Sequence, residues 1–361
     1  PLKMAETVQP NILFILDDSG SMEYVAMPDD EDGTLGDNPT DRSVAVNTIF
    51  YDPKTAYRGW RKADDTYMAD RPATDAFSDK SLASGSTNLT TSDQVFYVLN
   101  GGATDLSNNS SYKRYVLRKN SGGAYECTWS GWNWDCKSIS NFPWRLKTDG
   151  TGPTVAEEWG NYANWYSYHR TRMKVAKAGA AEAFGGLNKT DYRVGFTTIW
   201  GPTSTSGSQN AEFLIPVDSS NGIFTGTNRT KWFETLFAAE GEGYTPLIPA
   251  LTRAGEYYKD SSTTGPYGGT LTADNKQMQC RQNFSILTTD GYWNNGSTSL
   301  GNVDNTVGED VKNAPPKTGT TNTYPEPKAP YKDEWSNTLA DVAMHYWKWA
   351  VRTELAHLLP V

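Results

Sequence analysis

An α/β fold around a mostly parallel sheet is what this 361-residue chain predicts. Two patterns carry the prediction. Short continuous apolar runs have the look of strands buried on both faces, and stretches of three- and four-residue apolar periodicity lie between them. Strands alternating with helices point to parallel pairing, because each parallel crossover needs a helix or its equivalent length of chain.

The first run, Ile12 to Leu16, leads straight into the polar stretch DDSGS. Residues 192–200 (YRVGFTTIW) are aromatic and β-branched and form a second expected strand. Phe213 to Val217 (FLIPV) is shorter, and Pro216 makes it an edge strand, since proline cannot donate to a ladder. Phe284 to Thr289 (FSILTT) is the fourth. Tyr162, Trp165, Tyr166, His169, Met173, Ala176, Ala180 and Phe184 keep helical steps, and Gly185-Gly186 supplies a stop.

Thr245 and Pro246 open a second helix, as N-cap and first-turn proline, with Leu247, Leu251, Ala254 and Tyr258 on its apolar face. Pro249 is out of keeping there, because it removes an amide. A third helix is expected from Ser336 to Leu358, with Leu339, Val342, Tyr346 and Trp349 along one side. Glu23 to Thr154 is rich in Gly, Ser, Asn and Asp, broken by QVFYVLN and YKRYVLRK, and reads as a β-rich insertion with long loops. Asn294 to Lys332 reads as an extended surface loop. The expected organisation is one α/β domain, residues 1–22 and 155–361, interrupted by an insertion, 23–154.

Forty-two acidic residues against 33 basic ones give a net charge of −9 and, with no Lys/Arg cluster, argue against nucleic acid or an anionic membrane as partner. The isoelectric point is near 5.0 and the mean hydropathy −0.64. Thirteen Trp, 20 Tyr and 12 Phe nevertheless supply core material and speak against disorder. No apolar run reaches the roughly 20 residues of a transmembrane segment, and PLKMAETVQP lacks a signal-peptide apolar stretch. A hairpin or tight loop over TWSGWNWD would bring Cys127 and Cys136 together as a disulfide, leaving Cys280 free. Two unrelated buried thiols are the alternative, because spacing fixes no geometry. Trp129, Trp132 and Trp134 are either an adhesive surface or, the commoner case, the core of a small insertion.

Asp17, Ser19 and Ser21 alternate just past the first strand. A loop leaving the C-terminal end of such a strand can turn all three side chains into one crevice, where ligands of open α/β sheets bind. A carboxylate with hydroxyls is hard-oxygen chemistry, suited to Mg²⁺ or Mn²⁺ and not to zinc. By themselves these are also ordinary turn residues. Thr245, after the flexible GEGY, and Asp290, after the strand FSILTT, add two more oxygen donors at expected loop positions, although each has a simple reading as N-cap or turn.

Asp17, Ser19, Ser21, Thr245 and Asp290, in that order, resemble the metal-ion-dependent adhesion site of von Willebrand factor A-type domains: D-x-S-x-S, then Thr, then Asp. That resemblance implies a Rossmann-like, doubly wound sheet whose last strands are expected beyond Val361, and Mg²⁺ or Mn²⁺ as the metal. The segments NYANWYSYHRTRMKVAKAGAAEAF, GYTPLIPALTRAGEYY, CRQNFSILTTDGYWN and APYKDEWSNTLADVAMHYWKWAVR further resemble the N-terminal region of the type IV pilus tip adhesins, the PilC/PilY family. The family implies an exported bacterial surface protein at the pilus tip, serving attachment, pilus biogenesis and surface sensing. Its partners would be other tip components and a host-cell or abiotic surface ligand, held in the A-type mode through a carboxylate. The family's calcium loop lies in a C-terminal β-propeller, so Ca²⁺ is not expected in this chain.

Two other functions have some support in the sequence. DEDGTL, residues 30–35, has the D-x-D-G-T pattern of haloacid-dehalogenase-type phosphatases, but AMPD precedes it where an apolar strand should hold the nucleophile. A bacterial A-type adhesin unconnected with pili is the second. A serine hydrolase fails because no Gly-x-Ser-x-Gly frame surrounds Ser19. His169, His345 and His357 read as inert helix or chain-end histidines. The acidic loops around Asp29–Asp32 with Asp37, and Asp304-Asn305 with Glu309-Asp310, lack the EF-hand spacing and read as solvated.

Overall fold

The computed structural model describes residues 8–28, 35–78, 82, 85–120, 122–201, 222–262, 265–268, 277–278, 281–291, 293–306, 327, 329–348 and 351–352. In chain order the strands are β1 Asn11–Leu16, β2 Ala76–Phe77, β3 Ser86–Thr87, β4 Gln94–Leu99, β5 Tyr112–Leu117, β6 Ala124–Trp129, β7 Trp134–Ile139, β8 Arg193–Thr198 and β9 Asn283–Thr288. The helices are α1 Val155–Tyr168, α2 Arg172–Gly185, α3 Gly226–Ala238, α4 Leu247–Tyr257 and α5 Leu339–Lys348. The chain divides into two compact units, Pro1–Ser19 with Leu187–Val361, and Gly20–Gly186.

The first unit is built on a parallel sheet in the order β8-β1-β9. Ile12 of β1 pairs with Val194 on one side and Phe284 on the other. Being central, β1 is enclosed on both faces, which is why its sequence is apolar without alternation. Leu13 and Ile15 pack with Ile199 and with Leu247, Ala250, Ala254 and Tyr258 from α4 and its C-terminal cap. Phe14 faces the other way, 6.0 Å from the rings of both Phe196 and Trp232 of α3. The indole of Trp232 also donates to the carbonyl of Gly195 at 3.1 Å. Helices thus cover both faces of a mixed α/β unit. At the β9 edge, Phe284 and Ile286 remain 49% and 43% exposed.

Thr245 does not cap α4: the helix begins at Leu247, and Pro246 occupies the cap position without a side-chain cap bond. Pro249 is then the third helical residue, where the amide it lacks has no intrahelical acceptor in any case. Helix α3 was not anticipated; its buried residues Trp232, Phe233 and Leu236 fall within little more than one turn, and Thr225 makes no side-chain cap bond to signal the start. Asp304 is not solvated but fully buried, with its loop held because Asp341 accepts the Val303 amide at 2.6 Å. The expected strand Phe213–Val217, the DEDG tetrapeptide 30–33, Cys280, Glu309-Asp310 and residues 349–350 and 353–358 of the third expected helix lie outside the described residues, whereas Val351 and Arg352 are described and are not helical.

The second unit holds an antiparallel meander, β4-β5-β6-β7, a two-residue pairing of β2 with β3, and helices α1 and α2. The expected single helix over 162–184 is two helices, because Thr171 breaks it: its side chain accepts the Lys174 amide at 3.2 Å and caps α2. Helix α1 starts earlier than its apolar period showed. Thr154 and Glu157 form a reciprocal capping box, the Thr154 amide reaching Glu157 Oε2 at 2.7 Å. Trp159, Tyr162, Ala163 and Trp165 of α1 join Phe96, Tyr115, Leu117 and Ala124 of the meander in one core, with Phe142 and Trp144. Within it the buried Glu158 carboxylate accepts from Tyr51 at 2.6 Å and Trp144 at 3.2 Å and pairs with Arg145, so the charge is not left alone.

Cys127 and Cys136 stand opposite one another on β6 and β7 and are joined as a disulfide. Trp129 and Trp134 are half-buried, their rings 5.3 Å apart. Trp132 is 92% exposed, so the expectation of a tryptophan core fails for this residue.

Candidate functional site

Asp17 follows β1 directly, so its position is set by the central strand of the first unit's sheet. Its amide continues the β1–β9 ladder by donating to the Thr288 carbonyl at 3.1 Å. Both carboxylate oxygens are engaged: Oδ1 accepts the Ser19 amide at 2.8 Å and Oδ2 the Thr289 hydroxyl at 2.6 Å. Asp17 is completely buried and Ser19 nearly so. Burial pushes the Asp17 carboxyl above its ordinary range, and the negative charge of Asp290 acts the same way, against the bonds from Ser19 and Thr289.

Thr245 precedes α4 and is buried. Its amide donates to Asn294 Oδ1 at 2.9 Å, and its carbonyl accepts the Asn294 amide at 3.4 Å. The Glu242 amide donates to the Asp18 carbonyl at 2.8 Å. The loops after β1, before α4 and after β9 are therefore tied pairwise. Asp17, Ser19, Thr245 and Asp290 come from these three loops. Gly296 completes the approach of the third loop to α4: its φ is +91°, and a Cβ there would lie 2.4 Å from the Pro249 ring. Ser21 falls in the 3₁₀ turn Gly20–Glu23, at the start of the second unit.

Sequence reading passed over Thr289, Asn294 and Asp18, whose roles depend on which loops meet. Asp18 is fully buried, and burial pushes its carboxyl up to about 7 despite bonds from Thr198 and the Trp200 amide. Its Oδ2 has no hydrogen-bond partner among the described residues. The adjacent acidic pair in DDSGS was the one available signal.

The three tied loops carry two carboxylates and two hydroxyls, hard-oxygen groups of the kind Mg²⁺ or Mn²⁺ prefers. A carboxyl pushed upward by burial, with a smaller contribution from the charge of Asp290, is also the electrostatic setting a dication relieves. Among the described residues no group of three or more His, Cys, Asp and Glu side chains gathers in metal-ligand geometry. A nitrogen- or sulfur-rich centre therefore has no candidate among them.

Compared with curated proteins, the chain is 31% identical over 372 residues to a protein of Pseudomonas aeruginosa strain PAO1 called type IV pilus biogenesis factor PilY1. The match takes in 98% of the chain. It belongs to the PilY family. The proteins of the same name in strains PAK and UCBPP-PA14 are 31% and 30% identical over 376 and 363 residues. This PilY-family chain spans less than a third of its relatives' length, 28–29%. No family model matches it, and neither does any solved structure. Among the described residues of the PilY-family chain no helix is long and apolar enough to cross a membrane.

Proposed function

We propose that this PilY-family chain is a metal-dependent binding module of a type IV pilus protein, built as a von Willebrand factor A-type domain and serving attachment, pilus biogenesis and surface sensing at the pilus tip after export. The observation that carries the proposal is the pairwise tying of the loops that bear Asp17 and Ser19, Thr245, and Asp290. These four residues would hold Mg²⁺ or Mn²⁺. Such a dication, held largely by neutral hydroxyls, supplies an electrophile for a carboxylate of a surface ligand. The chain's own contribution is to fix the donors: Thr289 and the Ser19 amide orient Asp17, and Asn294 holds the backbone of Thr245. We read the chain as a binding protein and not an enzyme.

The test is thermal unfolding after chelation, with Mg²⁺ or Mn²⁺ titrated into the parent, Asp17→Ala and, as control, Ser110→Ala in the second unit. The ligating loops meet only in the folded chain, so binding stabilises it by mass action, about 2.7 kcal/mol at a hundredfold excess over the dissociation constant. Asp17→Ala removes that gain while Ser110→Ala keeps it. Without metal, Asp17→Ala melts higher than the parent, because it deletes a buried carboxylate facing the charge of Asp290. Equal metal-induced shifts in parent and Asp17→Ala would reduce these residues to turn formers.

A further inference from the structure

The tip of the β6–β7 hairpin presents one aromatic ring on a braced backbone. Trp132 is 92% exposed, while the hairpin beneath it is fixed by successive cross-strand contacts. The Ser130 amide donates to the Asn133 carbonyl at 2.9 Å. One step down, Trp129 and Trp134 lie ring against ring, and Trp134 reaches Tyr97 of β4 at 5.5 Å. The Cys127–Cys136 disulfide follows, with Cys127 fully buried among Val95, Tyr97, Tyr112 and Val116. Gly131, the first of the two tip residues, has φ +100°, the conformation such a turn asks of that position. The backbone that carries the ring is already ordered, so a ligand that covers it need not also order the turn.

The surroundings narrow the kind of ligand. Residues 128–136 contain no Lys or Arg, and Asp135 lies exposed among them, so an anionic membrane finds no attraction at the tip. A stable protein interface takes roughly 800 Å² per partner, and a tip whose other members are Ser, Gly and Asn offers a single indole of at most about 250 Å². A sugar ring fits that scale. The C–H face of a pyranose covers one indole, and its hydroxyls need both donors and acceptors at the rim. Asn133 keeps its amide nitrogen unengaged among the described residues, because the Ser130 hydroxyl bonds to its oxygen instead. Asp135, two residues from Asn133, makes no ion pair among the described residues and is an acceptor.

We propose that the β6–β7 hairpin tip is a carbohydrate-binding site, in which Trp132 stacks on a neutral hexose or N-acetylhexosamine and Asn133 and Asp135 bond to its hydroxyls. This site is separate from the metal reading above and does not depend on it. The test is binding of the whole chain to an array of immobilised neutral oligosaccharides, run with Mg²⁺ and with chelator. The parent binds a subset of glycans equally in both conditions. Trp132→Ala weakens that binding at least about tenfold, equivalent to roughly 1.4 kcal/mol. Its melting temperature stays that of the parent, because the ring it deletes is solvated. Asn133→Ala and Asp135→Ala weaken the same glycans without changing which are bound. The proposal is overturned if the parent binds no glycan, if Trp132→Ala binds as the parent does, or if Trp132 instead governs binding to phosphatidylcholine vesicles. Loss of glycan binding on chelation alone would transfer the activity to the metal site.

Discussion

The hydroxyl of Thr289 donates to Oδ2 of Asp17 at 2.6 Å, so the residue before one candidate ligand orients the side chain of another. Partners of this kind set a ligand's direction and commonly change metal affinity 10- to 100-fold when removed. Thr289→Val keeps the shape and deletes the donor. We expect its Mg²⁺ dissociation constant, read from the titrated melting shift, to rise about tenfold. An unchanged constant would mean that the Ser19 amide positions the carboxylate without help from Thr289.

Glu157 gives a pH dependence with a defined sign. A hydrogen bond from Lys147, then those from Thr154, lower its carboxyl from 4.5 to about 2 in the folded chain. A lowered acid favours folding above its unfolded value and loses that contribution as pH falls toward the folded one. Between 4.5 and about 2 the parent therefore loses stability more steeply than Glu157→Gln, with equilibrium unfolding as the measurement. Thr154→Ala, which removes the other half of the capping box, destabilises by about 0.5–2 kcal/mol. Parallel acid limbs for parent and Glu157→Gln would count against the pairing.

Non-reducing peptide mapping of exported protein should recover Cys127 linked to Cys136. Replacing both by Ala releases a short loop, with a cost of roughly 2–3 kcal/mol on the chain-entropy view. Full alkylation of both thiols before reduction would contradict the assignment.

Incubation with Mg²⁺ and a generic aryl phosphate distinguishes a binding protein from a phosphatase. We expect no turnover. Hydrolysis that disappears in Asp30→Asn would restore DEDGTL as a catalytic motif and sink the adhesin reading.

Strand β1 of the first unit was legible because a position between neighbours demands apolar residues on both faces, and Ile12 to Leu16 satisfies that in sequence alone. The break between α1 and α2 was not, since the three- and four-residue steps run through it from His169 to Met173. Only the Thr171 side chain, choosing the Lys174 amide, ends one helix and begins the next. Asp17, Ser19, Thr245 and Asp290 could be picked out by order and residue type. The bonds from Thr289 and Asn294 could not, because threonine and asparagine are ordinary loop residues until the loops meet. Trp132 shows the reverse case. Its neighbours Trp129 and Trp134 share its composition, and only the turn at Gly131 sends it to solvent while they pack beneath.

Central placement of β1 also has a mechanical side. Asn11 to Leu16 is laddered to a parallel neighbour along both edges, and the Asp17 loop hangs from its end. Tension applied at that loop along the strand would load both ladders in shear, every rung at once, instead of peeling them one rung at a time. The loop ties from Thr289 and Glu242 would pass part of the pull to the segments after β9 and before α4. Traction at the end of β1 would thus be spread across the sheet before any single rung could yield.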